Sequence, residues 1–266
     1  MNLTGRSLLT LADYTSEEVT HLIELAEQLK QEQREGRRLR RFQGYTIALL
    51  FEKRSTRTRC AFETAFGEEG GHPVFLSNQD IQLGAKETVE DTARVLGRMF
   101  DAIQFRGFKQ TMVETLAEYS GVPVYNGLTD RFHPTQALAD LMTLKEHVGS
   151  LAGARLAYVG DGRNNVANSL LIGSGLTGVS LTLASPVELT PEDALVERAR
   201  ELAKQTGAEI SLTRDVDEAV AGAQAIYTDV WFSMGEESKE AERRELLAPY
   251  QVSESLFDGS NPPVFL

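Results

Sequence analysis

Cysteine is almost missing from this chain of 266 residues. Cys60 stands alone, which excludes an internal disulfide and fits a reducing compartment. Histidine is nearly as sparse: His21, His72, His133 and His147 lie far apart without metal-ligand spacing, so no bound metal or other cofactor is called for. No apolar run is long enough to cross a bilayer. The opening Met1-Asn2-Leu3-Thr4-Gly5-Arg6 resembles neither a secretory signal nor a transit peptide, so the expected location is cytoplasmic, with no membrane partner. Positive charge is in deficit, with 27 Lys and Arg against 39 Asp and Glu and a net charge of −12. Such a balance speaks against a nucleic-acid partner; a local basic site in an acidic chain suits a small anion. Fixed-period repeats and low-complexity segments are lacking as well.

What is present is the composition of a globular protein, 41% hydrophobic and 25% charged, long enough for one large domain or two of ordinary size. Thr15 and Glu18 form a capping box, and Val19, Leu22, Ile23, Ala26 and Leu29 give the following helix its apolar face. Arginines between Arg34 and Arg41 close that helix, where cations suit the dipole, and read as solvated or as a subunit contact. Strands are expected over 45–51, 73–76, 101–105, 122–126, 155–160, 179–184, 208–212, 224–230 and 263–266. Helices are expected over 56–68, 87–100, 110–119, 134–148, 164–176, 191–206, 215–221 and 237–248, the one at 191 started by Thr190-Pro191. The alternation predicts an α/β fold of two domains, 1–149 and 150–266, each a mainly parallel sheet flanked by helices.

Parallel sheets gather ligands at the carboxyl ends of their strands. After the first strand comes Glu52-Lys53-Arg54-Ser55-Thr56-Arg57-Thr58-Arg59-Cys60. A hydroxyl cap at a helix start, with Arg57 and Arg59 nearby, makes a phosphate site; an ordinary capped helix with solvated arginines is the alternative. Arg106 ends an apolar strand, a costly place for a charge that lacks an anion or a salt bridge. His133 precedes Pro134 at a helix start, with Gln136 one turn on; an imidazole and an amide suit a neutral acyl group. Gly160-Asp161-Gly162-Arg163-Asn164-Asn165 fails the dinucleotide pattern at its third glycine, which disfavours a dehydrogenase. Asn165 can bind a carboxylate or cap its helix, and Asp229 can receive an amino group. Cys60 reads as packing within its helix.

Ser55-Thr56-Arg57-Thr58-Arg59, Phe105-Arg106-Gly107, His133-Pro134-Thr135-Gln136 and Asp229-Val230-Trp231-Phe232-Ser233-Met234-Gly235 resemble the motifs of the ornithine carbamoyltransferases, a family of the aspartate/ornithine carbamoyltransferase group. The resemblance runs from the first helix to Leu266. It implies that Ser55, Thr56, Arg57 and Thr58 bind the phosphate of carbamoyl phosphate. Arg106 would bridge phosphate and carbonyl oxygen, His133 would meet the carbonyl oxygen, and Gln136 the carbamoyl amide. Arg57, Arg106, His133 and Gln136 would then be the catalytic set. Asn165, Asp229, Ser233 and Met234 would hold L-ornithine, and Gln82 would reach a neighbouring subunit's site in a homotrimer or a multiple of trimers. Another amine acceptor, putrescine or aspartate, or a non-catalytic carbamoyl-phosphate-binding homologue, are the competing readings.

The chain departs from the pattern in three places. Arg54 and Ala85 replace residues common in the family, which alters the pocket entrance and the subunit-bridging loop. Relatives also continue past a strand like Pro263-Val264-Phe265-Leu266 into a His-Cys-Leu-Pro motif and a final helix. The resemblance therefore implies truncation, with the carbamoyl-phosphate pocket retained and turnover poor.

Overall fold

The computed structural model describes residues 1–77, 87–232, 237–257 and 263–266. Contacts divide the chain into two units: Met1–Asp13 with Glu24–Thr135, and Tyr14–Ile23 with Gln136–Leu266. In the first, β1 (Thr46–Phe51), β2 (His72–Ser77), β3 (Ala102–Arg106) and β4 (Val124–Leu128) form a parallel sheet in the order β2-β1-β3-β4. The helices α2 (Thr56–Glu68), α3 (Val89–Met99) and α4 (Gln110–Ser120) alternate with these strands, while α1 (Ser16–Arg34) and α5 (Pro134–Val148) each contribute residues to both units. In the second unit β5 (Arg155–Val159), β6 (Ser180–Ala184), β7 (Ile210–Thr213), β8 (Ala225–Tyr227) and β9 (Val264–Phe265) run parallel in the order β7-β6-β5-β8-β9. Between them lie α6 (Asn165–Thr177), α7 (Asp193–Thr206), α8 (Val216–Val220) and α9 (Glu240–Leu247).

The unbroken apolar run of β1 is explained by burial on both faces. Ile47, Leu49 and Phe51 pack with Phe62, Phe66 and Phe75, while Ala48 and Leu50 join Leu96, Ile103, Val113 and Leu116. Each fully buried Leu or Ile contributes about 2 kcal/mol of hydrophobic stabilisation. In the second unit α6 is buried along its whole length, as its small and apolar sequence requires. Ala157, Val159, Ile226 and Leu247 fill a core cluster with Tyr250.

The capping box of α1 is formed: the Thr15 N–H donates to Glu18 Oε2 at 2.9 Å, and the Glu18 N–H to Thr15 Oγ1 at 3.2 Å. The arginines after it do something other than cap. Gly36 turns the chain at φ +73°, and Arg37, Arg38 and Arg41 pair with Glu35, Glu68 and the two acids Glu32 and Glu69. These pairs link the end of α1 to the end of α2, while Arg37 and Arg38 stay more than half exposed to solvent, as expected.

Thr190-Pro191 does not start α7. Thr190 is extended at ψ 146° and its hydroxyl donates to Val187 O at 3.1 Å, closing a short 3-10 turn. Leu189 O and the Pro191 ring pack where a side chain on Gly162 would stand. That contact holds the segment extended, and α7 begins two residues later behind Glu192. β8 is also shorter than expected and ends at Tyr227, where its ladder with β5 ends at Tyr158.

Candidate active site

In the first unit, β1 and β3 deliver two groups to one sheet edge. Ser55 is extended (φ −162°, ψ 120°) and caps α2. Its Oγ accepts the Thr58 N–H at 3.2 Å and donates to Thr58 Oγ1 at 3.1 Å. Thr56 and Arg57 are exposed in the first turn of α2, where backbone N–H groups lack helical partners. Arg106 reaches over from the neighbouring strand, and its Nη1 donates to Thr58 Oγ1 at 3.0 Å and Gly127 O at 3.4 Å.

Arg106 is only 8% exposed, and its Nε has no partner among the described residues. Burial first, then the charge of Arg57, pulls its pKa down to about 10, so it stays cationic at neutral pH. Its hydrogen-bonding partners are neutral oxygens and its charged neighbour is another cation. That is the electrostatic setting of a group waiting for a bound anion. A cavity of about 560 Å³ opens beside the cap, lined by Phe51, Arg54, Ser55, Thr56, Arg59 and Cys60 among others.

Two expectations fail here. Arg59 is committed elsewhere: its Nε donates to Glu63 at 3.0 Å and its guanidinium lies 3.6 Å from the centre of the Phe75 ring. Arg59 still lines the cavity beside the cap, but its guanidinium is shared between Glu63 and the Phe75 ring, so Arg57 is left as the cation of the first turn without a side-chain partner among the described residues. Cys60 is exposed rather than packed, because α2 turns that face outward to the cavity.

His133 comes from the loop after β4. Thr129 fastens that loop, accepting the Phe132 N–H at 3.1 Å and donating to Gln110 Oε1 at 2.6 Å, while Asn126 Nδ2 donates to Phe132 O at 3.3 Å. His133 is partly buried, and its Nδ1 lies 3.4 Å from the Thr135 hydroxyl. Burial, then the charge of Arg106, lowers its pKa to about 3, so the imidazole is neutral at working pH.

In the second unit Gln136, in the first turn of α5, donates from Nε2 to Asp140 Oδ1 at 2.8 Å. Asp140 is 8% exposed. Burial raises its pKa to about 6, against the hydrogen bond of Gln136 and the nearby Tyr227 phenol, and the charge of Asp229 pushes the same way as burial. Tyr227 in turn is held protonated by burial and by the two carboxyls. Asp229 accepts from Asn164 Nδ2 at 2.9 Å, and Asn164 Oδ1 caps α6 by accepting the Val166 N–H at 2.7 Å. Asn164 is thus the cap, and Asn165 is the buried first residue of the helix. Gly160 adopts φ +143°, and a Cβ on Gly162 would stand 2.8 Å from Leu189 O. Both glycines answer to the fold of this loop. Gln82, Ser233 and Met234 lie outside the described residues.

Asp140 and Tyr227 escaped the sequence reading. The available signal was an acid set among Ala137, Leu141 and Leu144, which are all buried. Its raised pKa has a direct consequence for stability. A carboxyl raised from 3.8 to about 6 favours the fold fully below the lower value, and that contribution is lost as pH rises through about 6. Asp140→Asn should therefore stabilise the protein by about 2 kcal/mol at pH 8. The gain should vanish near pH 4. Denaturant melts at the two pH values check it, and a variant less stable at pH 8 contradicts it.

The class of protein follows from comparison of the fold. The structure of an ornithine carbamoyltransferase from Pyrococcus furiosus matches with a TM-score of 0.93 and 45% identity, covering 96% of this chain and 82% of that one. The fold is therefore that of the carbamoyltransferases. Residues 6–146 match the carbamoyl-P binding domain of aspartate/ornithine carbamoyltransferase, and residues 152–266 match its Asp/Orn binding domain. An ornithine carbamoyltransferase of Caldanaerobacter subterraneus subsp. tengcongensis is 60% identical over all of this chain and 85% of its own length. Another, of Thermotoga maritima, is 58% identical over all of this chain and 86% of its own length. The chain belongs to the aspartate/ornithine carbamoyltransferase family.

Proposed function

We infer that this chain transfers the carbamoyl group of carbamoyl phosphate to the δ-amine of L-ornithine, giving L-citrulline and phosphate in arginine metabolism. The observation that carries the chemistry is Arg106, a buried cation without a counter-ion among the described residues, beside the Ser55 cap. The two relatives compared above, both ornithine carbamoyltransferases by name, support ornithine as acceptor. We assign residues 1–149 to carbamoyl-phosphate binding and 150–266 to ornithine binding.

Ser55, Thr56, Arg57 and Thr58 take the phosphate, which gains from the free N–H groups of α2 as well as from the guanidinium. Arg106 spans phosphate and carbonyl oxygen. His133, being neutral, serves the carbonyl oxygen as a hydrogen-bond donor rather than as a cation, and Gln136 meets the carbamoyl NH2. Asn165, Asp229, Ser233 and Met234 hold ornithine. Its side-chain ammonium has a pKa of about 10.4 in water and must lose a proton before it attacks. The neutral amine adds to the carbonyl carbon, Arg106 and His133 stabilise the oxyanion, and the C–O bond to phosphate breaks. The departing phosphate accepts the amine proton. No covalent enzyme intermediate is needed, so orientation and electrostatics carry the rate. A homotrimer, with Gln82 lent to a neighbour's site, and a cytoplasmic setting complete the proposal.

Phosphate release from carbamoyl phosphate, followed with ornithine, putrescine or aspartate as sole acceptor, tests the assignment. Ornithine should be the preferred acceptor, with citrulline formed in equal amount to phosphate. Preference for putrescine or aspartate overturns the acceptor, and phosphate release without any carbamoylated amine overturns the transfer.

A further inference from the structure

Asp140 has a place in this site that the residues assigned above do not give it. Gln136 carries an amide with two chemically opposite ends, an NH2 that donates and an Oε1 that accepts. Rotation of the amide by half a turn exchanges them at little cost unless a neighbour chooses. A carbamoyl NH2 is a donor, so it needs Oε1. The neighbour that chooses is Asp140, one helical turn along α5, which accepts from Gln136 Nε2 at 2.8 Å. Oε1 is left without a partner among the described residues. An ionised carboxylate accepts only, and therefore cannot be satisfied by Oε1. Asp140 is itself held in place by burial: it is 8% exposed, and its second oxygen, Oδ2, lies buried without a hydrogen-bond partner among the described residues.

We propose that Asp140 is a positioning residue that locks the Gln136 amide with Oε1 towards the ligand, and so makes the site prefer a carbamoylated phosphate over inorganic phosphate. This rests on the reading of Gln136 as the group that meets the carbamoyl NH2. Ionised, Asp140 enforces the choice most strongly, and with a pKa of about 6 it is ionised at neutral pH although burial opposes that. The protein thus accepts a desolvated charge where a neutral residue would be more stable, which is the usual sign of a residue kept for function.

The test compares two ligands on the full chain by titration calorimetry: inorganic phosphate, and phosphonoacetamide, a stable methylene isostere of carbamoyl phosphate. Gln136→Ala should weaken phosphonoacetamide at least tenfold and leave phosphate within twofold. Asp140→Asn, an isostere able to present either end to Gln136, should weaken phosphonoacetamide about tenfold and again spare phosphate. Gln136→Ala combined with Asp140→Asn should bind phosphonoacetamide no more weakly than Gln136→Ala alone, because Asp140 acts only through Gln136. If Gln136→Ala leaves phosphonoacetamide unaffected, the reading of Gln136 fails. If that variant behaves as expected but Asp140→Asn spares phosphonoacetamide, weakens both ligands alike, or adds its full effect to Gln136→Ala, the positioning role fails. Retained phosphate binding reports the fold in each variant, and Asp140→Ser supplies the same comparison should the Asn variant not fold.

Discussion

Arg106→Met is expected to lower kcat about a thousandfold, with the KM for ornithine changed little. Removing one preorganised donor from a developing oxyanion typically costs a factor of about 100 to 1,000. Arg106 stands at the upper end because it serves both phosphate and carbonyl oxygen in the proposed mechanism. The loss cannot be ascribed to unfolding: the guanidinium is buried without a counter-ion among the described residues, so a linear apolar side chain in its place leaves stability nearly unchanged. Thr58 Oγ1, which accepts from Arg106, keeps the Ser55 hydroxyl as a second donor. Arg106→Lys should recover little of the rate, since an ammonium on a shorter reach is a point charge and cannot present parallel N–H groups. Steady-state citrulline formation, with a thermal melt on the same samples, checks both. A kcat for Arg106→Met within tenfold of the parent contradicts the role assigned to Arg106.

Gly97→Ala is expected to destabilise the first unit by about 3 kcal/mol, although Ala is the better helix former. In an exposed helix that exchange stabilises by about 1 kcal/mol. Gly97 lies in α3 where the end of α4 crosses it, and a Cβ there would stand 1.7 Å from Ser120 O and 2.6 Å from the Ser120 carbonyl carbon. The obstacle is backbone, so no rotamer change relieves it, and α3 must move away from α4. Overpacking of this kind costs about 1–3 kcal/mol and more when the backbone must shift, which outweighs the propensity gain. Gly67→Ala is the control. Gly67 also sits within a helix, α2, but nothing stands within 4 Å of its added Cβ. That variant should be more stable by about 0.5–1 kcal/mol. Denaturant midpoints of opposite sign for the two variants are the expected result; equal effects at both sites contradict the packing account.

Much of this protein could be read directly. The β1 strand, the Ser55 turn into α2 and the Thr15–Glu18 box depend on neighbours within a few residues, and each lies where short-range patterns put it. The parallel order of the sheets follows from strands alternating with helices. Arg106 stood out because a charge at the end of an apolar strand needs an explanation wherever the strand lies. The failures share a cause. Thr190-Pro191 has the local chemistry of a helix start, yet packing against Gly162 holds it extended. Arg57 and Arg59 are both exposed, and only Glu63 and Phe75 separate an arginine with side-chain partners from one without any among the described residues.

The sequence by itself determined the alternation of elements, the anion-binding helix start and the chemical character of the strand ends, because hydrogen bonds and side-chain periodicity along a few residues are enough to fix them. Tertiary structure alone decided how those groups behave. It lowered the pKa of His133 to about 3 and raised that of Asp140 to about 6, and it set the Ser120 carbonyl where a side chain on Gly97 would stand. Desolvation and steric exclusion are sums over everything packed around a group, and the chain supplies those neighbours from residues far away in sequence.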